Sequence, residues 1–235
     1  MGNLRHYPRF LTDLLRYRQA PGAEPWSSLS IRPMLEDRTA TTSFDAHYVY
    51  QGTWALRHLA LSRPAQHVDV GSQISWVACV AALTKVTFID VRPFTGSLAN
   101  LESRSGTVLA LPFADQEVDS LSCLHVVEHV GLGRYGDPID PLGTRKAVAE
   151  LGRVVAPQGR LYLSLPVGRP RVVFNAHRIH DPETILQWLA EAGLELEQFA
   201  GVDDQGRFRA EAEPRDYRDQ RYGCGMFLAR RPGRP

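Results

Sequence analysis

Two short segments contain the residue types that nucleoside-binding sites use. Residues 69–73, Asp-Val-Gly-Ser-Gln, follow an apolar strand pattern and precede a helix pattern. Gly71 lets the backbone turn sharply and approach a ligand, and the N–H groups at the start of the helix favour an anionic group. The next strand pattern ends at Asp90, whose carboxylate can accept both hydrogen bonds of a ribose diol. The pair predicts a nucleoside site; the alternative is a tight turn followed by a surface carboxylate.

Alternating strand and helix patterns from residue 66 onward would position these residues. Strands alternating with helices indicate a mostly parallel sheet with helices on both faces, and such sheets bind ligands beyond the carboxyl ends of their strands. The fold class predicted is therefore α/β, with a Rossmann-like sheet of seven strands. The predicted strands cover residues 67–70, 85–90, 106–111, 118–125, 160–167, 194–201 and 222–230.

The helix and loop patterns divide the chain into two parts. Residues 1–43 predict an extension with a helix at 10–17 followed by a loop, and residues 44–235 predict the α/β domain. Within that domain, helices are predicted at 45–60, 74–83 and 144–155, and a last one begins after Asp181, where an N-cap residue is followed by Pro182. The stretch 203–221 is charged and is predicted to form a loop.

Further motifs resemble those of class I S-adenosylmethionine-dependent methyltransferases that act on small molecules. They are the Leu-Pro-Phe of residues 111–113, Asp119, the Glu-His of 128–129, and the passage 150–159 into the fifth predicted strand. Segments 122–138, 174–178 and 222–225 also resemble a family catalogued as domain of unknown function 268. The resemblance implies a methyltransferase-like fold, S-adenosylmethionine as cofactor, and a small-molecule substrate.

The resemblance also implies roles for individual residues. It assigns Asp69, Gly71 and Ser72 to the methionine end of the cofactor, with Gln73 in the same turn, and Asp90 to the ribose. Leu111 and Pro112 would line the adenine pocket, and His125 would lie near the sulfonium. Two departures favour an alternative, a non-catalytic binding or scaffold protein of the same fold. Gln73 and Ser75 replace two glycines of the usual Gly-x-Gly-x-Gly turn, and Thr107 replaces an acidic residue. An NAD-dependent oxidoreductase is a further alternative, which the additional motifs disfavour.

Polar residues cluster in the loops after the fourth and fifth predicted strands. Methyl transfer needs the acceptor held in line and, for a hydroxyl acceptor such as that of a sugar or glycan precursor, a base that removes its proton. His129 is the predicted base, with His177 in reserve and Glu128 orienting an imidazole. The predicted substrate-binding residues are Arg134, Tyr135, Asn175 and Arg178. The alternative is that these groups only cap or cross-link the loops.

The residue types of this region also fit two other arrangements. His125, His129, His177 and Asp137 suit a divalent ion by type, but they lack short ligand spacing, so no metal is predicted. The residues His47, Tyr48, Tyr50 and Trp54 could cover the acceptor, although the inner face of a packed helix is the more common role for such a cluster.

Composition limits the classes of partner. The 235 residues carry a net charge of +1 and are 43% hydrophobic, which gives no electrostatic reason to expect nucleic acid or an anionic membrane as partner. No uninterrupted apolar run reaches the length of a membrane span. Cys79, Cys123 and Cys224 are widely separated, as expected for a protein of the reducing cytoplasm. The sequence indicates no oligomeric state.

Overall fold

The structure is a computed structural model that describes residues 4–233. The chain divides into two compact units between Phe44 and Asp45. The first unit contains helix α1 (Tyr7–Gln19), flanked by short 3-10 turns at Leu4–His6 and Trp26–Ser28. The predicted helix at 10–17 therefore forms and is longer than its apolar pattern indicates.

The second unit is an α/β domain. Its helices are α2 (Ala46–Ser62), α3 (Ile74–Ala81), α4 (Gly143–Val154) and α5 (Pro182–Glu191). Asp45 and Asp181 cap α2 and α5, because each side chain accepts hydrogen bonds from the first backbone N–H groups of its helix. The strands are β1 (Gln66–Val70), β2 (Lys85–Asp90), β3 (Leu101–Ser105), β4 (Val118–Leu124), β5 (Val155–Val167), β6 (Arg171–Val173), β7 (His177–Ile179), β8 (Glu195–Val202), β9 (Phe208–Arg209) and β10 (Gly223–Arg230).

The main sheet has the strand order β3-β2-β1-β4-β5-β10-β8-β9. Strands β3, β2, β1, β4 and β5 pair in parallel, whereas β10 runs antiparallel to both β5 and β8. The chain moves outward from β1 to β3 and then returns to β4, so the winding direction switches between β1 and β4. A crevice for a ligand is expected beyond the carboxyl ends of these two strands.

Two hydrophobic clusters cover the two faces of the sheet. Leu151 of α4 and Ile185 of α5 belong to one cluster, and Trp54 of α2 and Val77 of α3 belong to the other. The α/β class with helices on both faces is thereby confirmed. Among the described residues, no helix has the length and apolar character that crossing a membrane requires.

The strand count and one strand position differ from the prediction. The sheet has eight strands rather than seven, because the charged stretch after β8 returns as β9, with Val202 paired to Phe208. The third strand is β3 and not residues 106–111, which form a turn closed by a bridge between Thr107 and Ala110. Strand β3 lies at the edge of the sheet and is largely exposed, so it lacks the apolar pattern on which the prediction relied. The β6–β7 hairpin was not predicted.

Candidate active site

The turn after β1 requires glycine at position 71. Gly71 has a φ of +69°, and a Cβ there would lie 3.0 Å from Cγ1 of Val126. Its N–H donates to the carbonyl of Ile89 at 2.9 Å, which joins the turn to the end of β2. A left-handed backbone and a close neighbour both disfavour a side chain here. The chain therefore exposes bare backbone at the switch point.

Asp69 supports this turn from within the protein. Its carboxylate accepts hydrogen bonds from the Ser72 N–H at 3.0 Å and from the Ser122 hydroxyl. The side chain is fully buried, and burial raises the pKa of Asp69 to about 7 although both hydrogen bonds act in the opposite direction. Asp69 lines neither of the cavities described below. Its place in the structure is that of a residue that orders the turn, not one that faces a ligand.

Asp90 lies beside Gly71 at the end of β2. Its Oδ1 accepts a hydrogen bond from the N–H of Arg92 at 2.7 Å, while Oδ2 would lie 3.8 Å from a Cβ at Gly71. The carboxylate lines two adjoining cavities. One oxygen is thus held by the backbone, and the other points along the turn.

The first cavity, which we call the nucleoside cavity, has a volume of about 440 Å³. Its walls are mostly apolar and include Ile89, Val108, Leu109 and Val126. The residues of the sequence prediction lie elsewhere, since Leu111 is buried in the core and Pro112 is exposed. The wall comes instead from the turn at 106–109, whose path the strand prediction missed.

Gln73 and Ser75 do not fill the nucleoside cavity. Gln73 precedes α3 with a φ of −61°, which any residue adopts, and both side chains are exposed. Neither residue lines the nucleoside cavity. The two departures from the glycine pattern therefore leave this cavity open.

The second cavity, which we call the acceptor cavity, has a volume of about 600 Å³. It shares Gly71, Asp90, His125 and His129 with the nucleoside cavity, so the two adjoin. Its other polar and aromatic walls are supplied by Tyr48, Ser72, Gln73, Arg92, Arg134, Tyr135, His177 and Tyr222. The predicted residues His125, His129, His177, Arg134 and Tyr135 are thus brought together around one space.

His125 and Glu128 form a buried ion pair below both cavities. Nδ1 of His125 lies 2.9 Å from Oε1 of Glu128, and the side chains are 4% and 0% exposed. Burial alone would lower the pKa of His125, but the Glu128 carboxylate outweighs it and raises that pKa to about 10. Burial likewise opposes ionisation of Glu128, yet His125 holds the pKa of Glu128 below its usual value. Neither oxygen of Glu128 accepts a well-aligned hydrogen bond from the described residues.

The orientation of His129 is set by the β6–β7 hairpin. Nδ1 lies 2.6 Å from the carbonyl oxygen of Ala176, so this nitrogen donates. Arg134 donates to the same carbonyl at 2.9 Å. The other ring nitrogen, Nε2, lies 3.7 Å from Oε1 of Glu128. His129 therefore has one nitrogen fixed as a donor and the other left to accept a proton.

Arg178 is not available to a substrate. The side chain is buried, with 5% of the residue exposed, and its guanidinium donates to the carbonyls of Val130 and, at 2.9 Å, of Asp140. It holds the ends of the 130–140 loop together. Asn175 is exposed in the β6–β7 turn and lines neither cavity. These two substrate-binding assignments do not fit the observed positions.

Arg92 was missed by the sequence analysis. Its guanidinium carbon lies 4.5 Å from the ring centroid of Tyr135, and it lines both cavities. Arg134 approaches the same ring at 5.1 Å. An arginine two residues after a strand-terminal Asp is a weak signal by itself; only the fold brings it against the 130–140 loop.

Comparison with known proteins agrees with this architecture. Residues 110–204 match the model of a family described as "Caenorhabditis protein of unknown function, DUF268". The matched segment is similar to that family over less than half of the chain. It contains the Glu128–His129 pair, the 130–140 loop and the β6–β7 hairpin. No curated protein matches the chain in a sequence search.

Solved structures of class I methyltransferases share the fold. The N-methyltransferase NodS from Bradyrhizobium japonicum WM9, in complex with S-adenosylhomocysteine, is 18% identical with a TM-score of 0.57, covering 94% of this chain and 97% of that one. The 1,6-didemethyltoxoflavin-N1-methyltransferase of Burkholderia thailandensis, solved with its substrate and S-adenosylhomocysteine, is 14% identical with a TM-score of 0.56, covering 99% and 91%.

The [4+2]-cyclase SpnF is similar to the same degree. It is 16% identical with a TM-score of 0.58, covering 84% of this chain and 86% of that one. This chain is therefore similar in fold to a cyclase as well as to two methyltransferases. At these identities the comparison establishes the fold, and the chemistry has to be argued from the site.

Proposed function

We propose that this protein is an S-adenosylmethionine-dependent methyltransferase acting on a small polar acceptor, such as a hydroxyl of a sugar or glycan precursor. The observation that carries the proposal is the placement of Gly71 and Asp90 at the mouth of an apolar cavity at the switch point. The structural similarity to NodS and to the toxoflavin-pathway enzyme, both solved with S-adenosylhomocysteine, supports the same cofactor.

The residues around the nucleoside cavity fit an adenosine. Bare backbone at Gly71 leaves room that a Cβ would occupy, and the free oxygen of Asp90 suits a ribose diol. Ile89, Val108 and Leu109 offer apolar surface to a flat base. When bound, the cofactor supplies an electrophilic methyl group for in-line displacement.

The acceptor cavity supplies the groups that position the acceptor. His129 Nε2 is placed to take a proton from a hydroxyl, since its Nδ1 is committed to the Ala176 carbonyl. Glu128 lies 3.7 Å from Nε2 and would stabilise the imidazolium formed. Because Glu128 is fully buried, we assign it a positioning role. Arg134 and Tyr135 line the cavity and are the proposed substrate contacts.

His177 remains the second candidate base. It lines the acceptor cavity, and its ring centroid lies 5.0 Å from that of Tyr222. Partial burial lowers the pKa of His177, which keeps the imidazole unprotonated and able to accept a proton. The three free thiols support the proposed cytoplasmic location.

Calorimetric titration tests cofactor binding. The protein is titrated with S-adenosylmethionine, S-adenosylhomocysteine and NAD. We expect micromolar binding of the two sulfur compounds and its loss in Asp90→Ala, while Asp119→Ala, which alters an exposed carboxylate of β4, binds as the unaltered chain does. Binding of NAD alone would indicate an oxidoreductase, and no binding of any of the three compounds would indicate a non-catalytic scaffold.

Turnover of a candidate acceptor tests the base. His129→Asn is expected to lower kcat by about 100-fold or more, with S-adenosylhomocysteine affinity unchanged. If His177→Asn produces these changes and His129→Asn does not, the two roles are reversed. Cofactor binding without methyl transfer to any acceptor would argue against the methyltransferase assignment, since a cyclase has the same fold.

A further inference from the structure

Three potential metal ligands meet at the base of the acceptor cavity. His47 comes from the first turn of α2, His125 from the end of β4 and Cys224 from β10, and one donor atom of each lies within 4.8 Å of the others. All three residues are buried, at 9%, 8% and 0% exposure. They are far apart in the sequence, so no short motif of metal ligands predicts them. Neither the methyltransferase proposal nor the sequence prediction assigns this cluster.

The distances suit a tetrahedral ion. Nε2 of His125 lies 3.4 Å from Sγ of Cys224. An ion bonded at about 2.3 Å to sulfur and about 2.0 Å to nitrogen separates two tetrahedral ligands by about 3.5 Å. The rings of His47 and His125 are 5.3 Å apart between centroids. The spacing of His125 and Cys224 therefore already suits joint ligation, and the donor atom of His47 lies within 4.8 Å of both.

Glu128 supplies the carboxylate that commonly orients a ligating histidine. Metal-bound imidazoles usually donate their other N–H to a carboxylate, which fixes the ring and strengthens the ligand. Here Nδ1 of His125 faces Glu128 at 2.9 Å and Nε2 faces the cluster. Glu128 is fully buried, and neither of its oxygens accepts a well-aligned hydrogen bond from any residue of 4–233, so its contact with His125 is an ion pair. The pair already has the orientation that a metal on Nε2 would use.

The charges also balance. A thiolate at Cys224 and the carboxylate of Glu128 contribute two negative charges, which a divalent ion neutralises, and both imidazoles ligate in their neutral form. Two histidines and one thiolate favour zinc over magnesium or calcium, which prefer oxygen ligands.

The cluster adjoins the acceptor cavity. His125 lines that cavity, as do Tyr222, which stacks on His47 at 4.9 Å, and Tyr48, whose ring lies 5.4 Å from that of His125. Three protein ligands leave the fourth tetrahedral position for water or an acceptor atom, as in catalytic zinc sites. We propose that His47, His125 and Cys224 bind one zinc ion at the base of the acceptor cavity. The proposal stands independently of cofactor binding.

Cobalt serves as the spectroscopic probe. The full chain is freed of metal with a chelator, and Co²⁺ is added without oxygen. We expect a near-ultraviolet thiolate-to-cobalt band and intense visible bands of tetrahedral cobalt, saturating at one ion per chain and abolished by Zn²⁺. Cys224→Ser is expected to lose the thiolate band, whereas Cys123→Ser, which alters an equally buried thiol, and Cys79→Ser retain it. Circular dichroism confirms that each variant is folded.

Two further variants test the other members of the cluster. His47→Gln and Glu128→Gln are each expected to weaken Co²⁺ and Zn²⁺ binding by about 10- to 100-fold, the first by loss of a ligand and the second by loss of ring orientation. A folded protein that shows no thiolate band with Co²⁺, or a band that survives in Cys224→Ser, overturns the proposal. S-adenosylhomocysteine binding, measured in parallel, reports the nucleoside site separately.

Discussion

Oε1 of Glu128 lies 2.9 Å from Nδ1 of His125, with both side chains almost completely removed from solvent. A carboxylate with no solvent depends on its partner for nearly all of its stabilisation. Because His125 also lines both cavities, the residues that form this pair contribute both to the candidate site and to the stability of the domain.

We expect Glu128→Gln to destabilise the domain. In the metal-free protein, removing the carboxylate leaves the buried His125 without its opposing charge, so its pKa should fall, and the free energy of unfolding should decrease by about 3 kcal/mol. Urea unfolding measures the change, and an NMR titration follows the imidazole. Glu102→Gln, which alters an exposed carboxylate paired with Arg104, is the control and should leave stability unchanged. Equal stability of the two variants would contradict the interpretation of Glu128.

Gly71→Ala should weaken nucleoside binding by about tenfold or more, because a left-handed residue gains a Cβ 3.0 Å from Val126. Gly206→Ala is the matched control. Gly206 has a φ of +72°, and its Cβ would meet Ala46 only at 3.6 Å. Both variants should lose about 1 kcal/mol of stability from the backbone alone. Only Gly71→Ala should change the S-adenosylhomocysteine affinity measured by calorimetry; a similar loss in Gly206→Ala would indicate a general effect.

Arg178→Gln should loosen the 130–140 loop, since the guanidinium joins the carbonyls of Val130 and Asp140. We expect trypsin to cleave after Arg134 several times faster than in the unaltered chain, as followed by mass spectrometry. Arg145→Gln, which removes an exposed pair with Glu191, should not change that rate. If the rate of trypsin cleavage is unchanged in Arg178→Gln and the KM for the acceptor is raised, Arg178 binds substrate after all.

His67 should contribute to acid sensitivity. Burial lowers the pKa of His67 to about 3 from 6.5, and both ring nitrogens contact serine hydroxyls at 2.8 Å. The contribution of neutral His67 to the free energy of unfolding is fully present above pH 6.5. Below pH 6.5, His67 binds a proton in the unfolded chain but stays unprotonated in the folded chain. Stability therefore falls by about 1.4 kcal/mol per pH unit until the folded pKa is reached.

His67→Gln removes this group from the titration. Urea unfolding at several pH values between 6.5 and 3 gives the free energy of unfolding as a function of pH. Its slope should be smaller in the variant by the amount that corresponds to binding about one proton on unfolding. A residual slope is expected, because burial also lowers the pKa of His47 and of His180 to about 4. Identical slopes for the two proteins would show that His67 does not titrate with unfolding.

The sequence by itself determined the α/β class, the turn at Gly71 and the carboxylate at the end of β2. These follow from local rules: strands buried on both faces are apolar, Asp181 caps a helix, and glycine favours the left-handed backbone of this turn. Strand β3 could not be predicted from an apolar pattern, because it is an edge strand with exposed residues. The apolar residues at 106–111 were predicted as a strand, but Val108 and Leu109 form part of a cavity wall.

Only the tertiary structure decided which polar residues face a cavity and which support it. Arg178 and Asn175 have the same polar character in the sequence as Arg134, yet one is buried against carbonyls and the other lies outside both cavities. The cluster of His47, His125 and Cys224 combines residues of α2, β4 and β10. Distances between residues so far apart along the chain depend on how the elements pack, and no local pattern encodes them.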